Sequence, residues 1–214
     1  MLGMETLLAV GIGVGLASVA GVRAFLPLAL AAAFLSFQVN PPNPLIPFTS
    51  SGVLFWALLA LAVLECALDK LAALDRPLNW LMVPVRAVAG AVLFAVVIAF
   101  YDPFVYGPLQ GGLQMWKLSE AMPVLAPWLV VGAIVAGAVA VTKALLRPSA
   151  KGSSAGVSTA FLSFFEDAVG LVGGALALAV PYFPLVFVAF LLYFFYRVRR
   201  RRGRKYGGLR ILGD

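Results

Sequence analysis

Residues 168–196 read AVGLVGGALALAVPYFPLVFVAFLLYFFY, a run of 29 residues without a charged side chain. A helix that crosses the hydrocarbon core of a bilayer needs roughly 20 apolar residues, so this run is too long for one span. Pro181 and Pro184 interrupt it, and a proline inside a helix removes a backbone hydrogen bond. The run therefore predicts two helices joined by a tight turn at 181–184.

The rest of the chain is just as apolar. Of the 214 residues, 63 % are hydrophobic and 12 % charged, against roughly half and a quarter in soluble proteins. We predict an all-α fold, a polytopic integral membrane helix bundle of six or seven segments within residues 1–197. The apolar segments lie at about 4–22, 24–37, 53–72, 79–100, 124–146, 158–180 and 183–197. Five of them come near the roughly 20 residues that one span needs.

The segment 24–37 leaves the number of crossings open. It is short, and Pro27 lies in its first turn, where proline is tolerated but marks a new helix. We expect a broken or re-entrant helix here. If it is re-entrant, the bundle has six spans and an inner N-terminus; if it crosses, there are seven spans and an outer one.

The charges divide the chain into a neutral body and a basic tail. The formal net charge is +7, but residues 1–196 contain eight basic and eight acidic side chains. Basic residues that follow an apolar helix fix its cytoplasmic side and contact anionic lipid headgroups. We therefore predict a transmembrane domain at 1–197 and a cytoplasmic tail at 198–214. Its partners would be membrane lipids with anionic headgroups rather than nucleic acid, and the chain's size allows a homodimer.

A faint internal repeat is typical of transporters. Gly13–Ala24 and Ala133–Ala144 are both rich in glycine, alanine and valine, end in a base followed by alanine, and precede a proline. A helix with an internal glutamate follows each of them. Transporters are often built from two such halves in opposite orientation, so we expect an inverted repeat with halves 4–101 and 124–197.

Several charged residues are predicted to lie at a common depth in the membrane. At 1.5 Å per residue, Glu65 lies about 18 Å below the outer end of its helix, and Arg86 and Glu166 lie about 10–12 Å from the inner ends of theirs. A charge inside the bilayer is costly unless it is paired or hydrated. The candidate substrate or ion-binding residues are Arg23, Glu65, Asp69, Arg86, Glu166 and Asp167, supported by Lys70, Lys143, Arg147, Thr159 and Ser163.

A structural interpretation of the same residues remains open. Glu65 with Arg86, and Glu166 or Asp167 with Lys143 or Arg23, would also serve as ion pairs that fix helix register. For Lys70, Arg76, Lys143 and Arg147, which lie near helix ends, we favour snorkelling to the surface. Thr159, Ser163 and Asp167 are spaced four residues apart and form a polar stripe.

The composition argues against an enzyme. The chain has no histidine and one cysteine, which removes the commonest metal ligand and general base. No nucleophile or metal motif is present, and we expect no cofactor. Two hypotheses remain: a small transporter or lipid flippase with a charged site open to the cytoplasm, and a non-transporting scaffold or assembly factor.

Three short motifs carry a resemblance to a known family. They are Gly21-Val22-Arg23-Ala24-Phe25-Leu26-Pro27-Leu28, Leu64-Glu65-x-x-x-Asp69-Lys70 and Ser163-x-x-Glu166-Asp167. Their order resembles a family of small bacterial multipass proteins known only as a domain of unknown function. This resemblance implies a multipass protein of the bacterial inner membrane, with no activity assigned. Residues 23–27 are also locally similar to the re-entrant element of DedA-type lipid transporters.

Overall fold

A computed structural model describes residues 4–37, 53–70, 75–101, 115–146 and 159–207. All the regular structure in these ranges is helical, which confirms the predicted fold class. The helices are α1 (Met4–Val22), α2 (Phe25–Phe37), α3 (Val53–Leu68), α4 (Asp75–Tyr101), α5 (Met115–Leu146), α6 (Thr159–Ala179) and α7 (Pro184–Gly207).

Three of the described helices are long and apolar enough to cross a membrane: Pro77–Ala99, Met122–Leu146 and Phe161–Ala179. The apolar parts of α1, α2 and α3 are shorter, at Leu7–Val22, Phe25–Phe34 and Phe55–Leu68. The expectation of five near-full-length spans was therefore too high for the described residues. The chain is a helical membrane protein whose N-terminal helices are shorter than its central ones.

Three helices extend beyond the apolar segments that predicted them. Helix α4 begins at Asp75, α5 begins at Met115, and α7 continues to Gly207 into the basic tail. Backbone hydrogen bonds do not depend on side-chain polarity, so a helix can continue past its apolar stretch. Near the start of this extension, Arg199 donates to the carbonyl oxygen of Leu145 at the end of α5.

The turn predicted at 181–184 is confirmed at residues 180–183. Tyr182 takes a positive φ of 64°, and its hydroxyl donates to the Leu7 carbonyl oxygen at 3.1 Å. A Cβ at Gly11 would lie 2.6 Å from the Tyr182 ring, so only glycine allows this approach. The turn is thereby fixed against α1.

Helices α1 and α2 form an antiparallel pair, here called the α1–α2 hairpin, with Arg23 and Ala24 at its tip. Along α6, Gly173 faces Val19 of α1 and Ala177 lies near Gly15, so α1 runs against α6. Glycines 170 and 174 instead face Leu26 and Leu30 of α2, so α2 runs with α6. The hairpin therefore enters and leaves the bundle at the end where α6 terminates.

The tip of this hairpin lies well inside the bundle. A Cβ at Gly170 would lie 3.4 Å from the Arg23 Cβ, and Gly170 is at the middle of the Thr159–Ala179 helix. By helix rise, the tip is about 16 Å from the start of α6. Residues 24–37 thus turn back beside α1, as expected of a re-entrant segment. The start of α1, however, lies beside the 180–183 turn, at the opposite end of α7 from the basic tail. The inner N-terminus expected with a re-entrant segment is therefore wrong, because α1 itself is one arm of the hairpin.

Small residues bring the central helices α1, α4 and α5 close together. A Cβ on Gly90 of α4 would collide with the Ala136 Cβ and lie 2.8 Å from the Gly132 carbonyl oxygen of α5. On α1, a Cβ at Gly21 would lie 2.6 Å from the Ala136 carbonyl oxygen. Close backbone approach through small residues is typical of helix packing in membranes. These three helices form the closely packed centre of the bundle.

Helix α3 is held differently. It packs mainly against α2, while Trp56, Val63 and Leu64 are exposed. Exposed apolar side chains on a membrane helix face lipid. Among the described residues, helix α3 is therefore peripheral, and its charged C-terminal end joins it to Arg23 and to Arg86 of α4.

We predict that Gly90→Ala lowers the stability of the protein in detergent by about 1–3 kcal/mol, because the added methyl group must push α4 and α5 apart. Thermal unfolding of the purified protein measures this. Gly137→Ala on α5 is the matched control, since among the described residues its new Cβ would meet only Ala87, at an ordinary 3.7 Å. Equal melting temperatures for the two variants would contradict the packing described here.

Candidate functional site

The tip of the hairpin places one arginine among carboxylates from two other helices. Arg23 Nη1 lies 2.8 Å from Asp69 Oδ2, at the end of α3. Its Nη2 lies 2.5 Å from Asp167 Oδ1 and 3.7 Å from Glu166 Oε2, both on α6. Arg23 is fully buried. Because a buried charge must be compensated, these carboxylates are what allows an arginine at this depth.

The start of α6 adds polar groups to the same guanidinium. Arg23 Nη2 donates to Ser163 Oγ at 2.9 Å and to the Ser163 carbonyl oxygen at 3.3 Å. The polar stripe predicted on α6 thus reaches Arg23 through Ser163 and Asp167. Thr159 is the first residue of α6, and its side chain lies outside the described residues.

Glu65 of α3 binds the beginning of α2. Its carboxylate accepts the backbone N–H of Ala24 at 3.1 Å and that of Phe25 at 3.2 Å. The first N–H groups of a helix have no partner within the helix and carry a partial positive charge. Glu65 also lies 3.4 Å from Arg86 Nη2, and Arg86 donates through Nη1 to Asn79 Oδ1 at 3.2 Å.

Lys143 of α5 binds the end of α1. Its Nζ donates to the Val22 carbonyl oxygen at 2.8 Å and lies 2.7 Å from Glu166 Oε2. The last carbonyl groups of a helix carry a partial negative charge. Lys143 is fully buried, so the expectation that it snorkels to the surface was wrong. A carboxylate and a helix end inside the bundle bind it in place of water.

The two helix ends at the tip therefore each have a counter-charge, Glu65 for α2 and Lys143 for α1. We use the name charge cluster for the residues joined by these contacts, which are Arg23, Glu65, Asp69, Arg86, Lys143, Glu166 and Asp167. Discontinuous helices whose ends meet charged groups inside a bundle are typical of the binding sites of transporters.

The charge cluster reaches the surface at one edge. Asp167 is 19 % exposed, and its Oδ2 lies 3.7 Å from Nζ of Lys70, which is 49 % exposed. The other members are buried. Lys70 thus reaches the protein surface, as its position near a helix end predicted. With Lys70 included, four acidic and four basic side chains balance.

The structure brings together all six candidate binding residues, with Lys70, Lys143 and Ser163 beside them. Arg147 lies outside the described residues. Four of the five ion pairs considered from the sequence, Glu65–Arg86, Glu166–Lys143, Glu166–Arg23 and Asp167–Arg23, are present. The fifth, Asp167–Lys143, is not among the ion pairs of the described residues. Among the described residues, no group of three or more His, Cys, Asp or Glu side chains is arranged to hold a metal ion.

Sequence reasoning missed Asn79 and the backbone groups at the tip. Asn79 is buried and lies seven residues before Arg86. Residues seven apart on a helix share a face, so this spacing was a usable signal. The roles of the Val22 carbonyl and the Ala24 and Phe25 amides depend on where the helix breaks.

We predict that Lys143→Met destabilises the protein by about 3–5 kcal/mol, because it leaves Glu166 without its closest cation. Combining it with Glu166→Gln should cost less than the sum of the two single changes. Unfolding of the purified protein by increasing SDS in a mild detergent measures these differences.

The control is Lys70→Met, which removes the same functional group from a half-exposed position and should cost at most about 1 kcal/mol. If Lys143→Met were no more destabilising than Lys70→Met, Lys143 would be hydrated in the membrane protein, contrary to the geometry above.

Comparison with known proteins identifies the family of the chain but assigns no activity to it. Residues 10–201 match the family described as Domain of unknown function (DUF4126). No curated protein and no solved structure matches the chain, and the local similarity of residues 23–27 to DedA-type transporters stays a prediction. The resemblance inferred from the three motifs is confirmed, since the match covers most of the sequence. The chain belongs to the DUF4126 family.

Proposed function

We propose that this protein is a small integral membrane transporter or lipid flippase whose substrate passes through the charge cluster. The observation that carries the proposal is the burial of Arg23, with three carboxylates, at the tip of a helical hairpin inside the bundle. Charged groups at this depth are costly and mark substrate or ion pathways in membrane proteins.

The packing of α3 supports the proposal that this helix moves during transport. Helix α3 carries Glu65 and Asp69 but packs mainly against α2, whereas α1, α4 and α5 are in close backbone contact. Release of the ion pairs made by Glu65 and Asp69 would free the end of α3 from the bundle. A carrier needs such a pair of elements, one fixed and one able to shift around the site.

Charge distribution gives the proposed orientation. We place the C-terminus in the cytoplasm of a bacterium and the protein in the inner membrane, because the basic residues after α7 favour the inner side. The N-terminus and the 180–183 turn would then lie outside, and the edge formed by Asp167 and Lys70 would face inwards. The tail would contact anionic lipid headgroups.

A scaffold or assembly factor is the second candidate. The observation in its favour is that the charges in the cluster balance and pair with each other. Buried ion pairs of this kind also serve to fix the register of helices. In such a protein the cluster would stay closed, and the basic tail would recruit the partner.

We predict that Cys66 reacts with a charged, membrane-impermeant methanethiosulfonate applied from either side of the membrane, in right-side-out and in inverted vesicles. Cys66 is the single cysteine of the chain, is partly buried, and directly follows Glu65 of the charge cluster. A carrier opens its site alternately to the two sides, so both preparations should be labelled.

The matched control replaces Cys66 with serine and places a cysteine at Val63, which is 62 % exposed and faces lipid; it should react from neither side. Glu65→Gln, which weakens the hold of α3 on α2 and Arg86, should change the ratio of labelling from the two sides severalfold. Labelling of Cys66 from one side only, unchanged by Glu65→Gln, would favour the scaffold.

Deletion of residues 208–214 and neutralisation of the basic residues at 199–205 test the role of the tail. In a transporter, labelling of Cys66 should persist, with only weaker retention on vesicles rich in anionic lipid, by about 1 kcal/mol per charge. If labelling from either side were lost while the protein stayed folded, the tail would be part of the working mechanism.

A further inference from the structure

The centre of the charge cluster is a cation rather than a carboxylate. Arg23 contacts Asp69, Glu166 and Asp167, and its Nε makes no hydrogen bond within the described residues. A guanidinium presents five N–H donors in a planar fork, which matches the oxygens of carboxylates and phosphates. In this structure the carboxylates occupy the positions that the oxygens of an anionic ligand would take.

The three carboxylates differ in how firmly they are held. Glu166 is buried and also bound by Lys143 at 2.7 Å. Asp69 is buried next to the end of α3. Asp167 is the most exposed of the three, at 19 %, and its second cation, Lys70, is half-exposed and 3.7 Å away. Asp167 is therefore the carboxylate that leaves Arg23 at the least cost, and it leaves towards the edge where Lys70 lies.

Charge balance then restricts what can enter. The charged groups that contact this position are Asp69 and Lys70 at the α3 end and Glu166 of α6. One contact further away lie Lys143 of α5, through Glu166, and Arg86 of α4, through Glu65 at the start of α2. With Asp167 and Glu65 included, the formal charges of the four acidic and four basic side chains sum to zero. An added anion would leave an uncompensated charge inside the bundle, unless a proton enters with it.

We propose that the ligand is a phosphodiester-type monoanion that displaces Asp167 from Arg23 and enters together with one proton, which Asp167 takes up. This inference rests on the proposed transport function and names its substrate class. The proton comes from water, the Arg23–Asp167 ion pair is replaced by an Arg23–phosphodiester pair, and the net charge of the cluster is unchanged. Lys70 then faces the neutral Asp167 at the edge.

A metal cation fits the same residues less well. All four carboxylates of the cluster are within 3.5 Å of a basic side chain. A cation would have to compete with these bases for each oxygen, whereas an anion replaces one carboxylate at one guanidinium. The chemistry of the site therefore favours an anion.

The experiment measures how well a ligand protects Cys66 from alkylation, relative to the unprotected rate at the same pH. Dimethyl phosphate is the soluble probe, and phosphatidylglycerol in phosphatidylcholine vesicles is the lipid probe; both keep one negative charge between about pH 5.5 and 8. Protection by dimethyl phosphate with none by phosphatidylglycerol identifies a free anion, and the reverse identifies a lipid headgroup. Protection by neither probe at any pH overturns the proposal.

The expected result is that the wild-type protein binds the effective probe about tenfold more weakly for each unit by which the pH rises, because one proton is taken up with each anion. Asp167→Asn imitates the protonated state, and its affinity should vary by less than about twofold across the range. Asp69→Asn combined with Lys70→Met removes one carboxylate and one cation, so the net charge around Arg23 stays at zero. This control should keep the wild-type slope, because Asp167 must still take up a proton when an anion enters. Arg23→Lys, which keeps the charge but loses the planar fork, should weaken protection about tenfold.

An Asp167→Asn protein with the wild-type pH dependence, or an Asp69→Asn, Lys70→Met protein without any, would show that Asp167 does not take up the proton. Failure of the phosphodiester proposal can be distinguished from failure of the transport proposal. If Cys66 is labelled from both sides but neither phosphodiester protects it, the carrier stands and the ligand is of another class.

Discussion

The ion pairing of Arg23 is the constraint on which the rest of the bundle depends. An arginine inside an apolar bundle is tolerated when carboxylates surround it, and those carboxylates come from the end of α3 and the start of α6. Their positions set where α1 stops, because Arg23 follows its last helical residue. The hairpin, the placement of α6 beside it and the attachment of α3 all follow from satisfying one guanidinium.

The break between α1 and α2 exposes backbone groups as well as a side chain. At such a break the carbonyls of one helix end and the amides of the next helix begin without partners. In water they would be solvated, but here Lys143 and Glu65 bind them. The same two residues join the break to Glu166 and Arg86. Backbone and side-chain electrostatics thus form one connected network across six helices.

The sequence allowed much of this site to be predicted, because helix rise is constant. Counting residues from helix ends placed Glu65, Arg86 and Glu166 at a common depth, and they are joined in the structure through Arg23, Lys143 and the start of α2. The direction in which residues 24–37 run was harder to predict than the depth of the charges. Whether 24–37 continues through the bundle or turns back is decided by contacts such as Gly170 with Leu26, and no local pattern encodes those. Lys143 was assigned to the surface for a similar reason, since distance from a helix end says nothing about a buried partner.

The attachment of α3 has a consequence for how the bilayer acts on the protein. Its 16 residues measure about 24 Å, less than the roughly 30 Å of a typical hydrocarbon core. A short helix surrounded mainly by lipid responds to hydrophobic mismatch by tilting less, thinning the membrane around it or shifting along its normal. Glu65 and Asp69 lie at the end of this helix. A change in lipid acyl-chain length that shifts or tilts α3 would therefore also move these two carboxylates relative to Arg23 and Arg86.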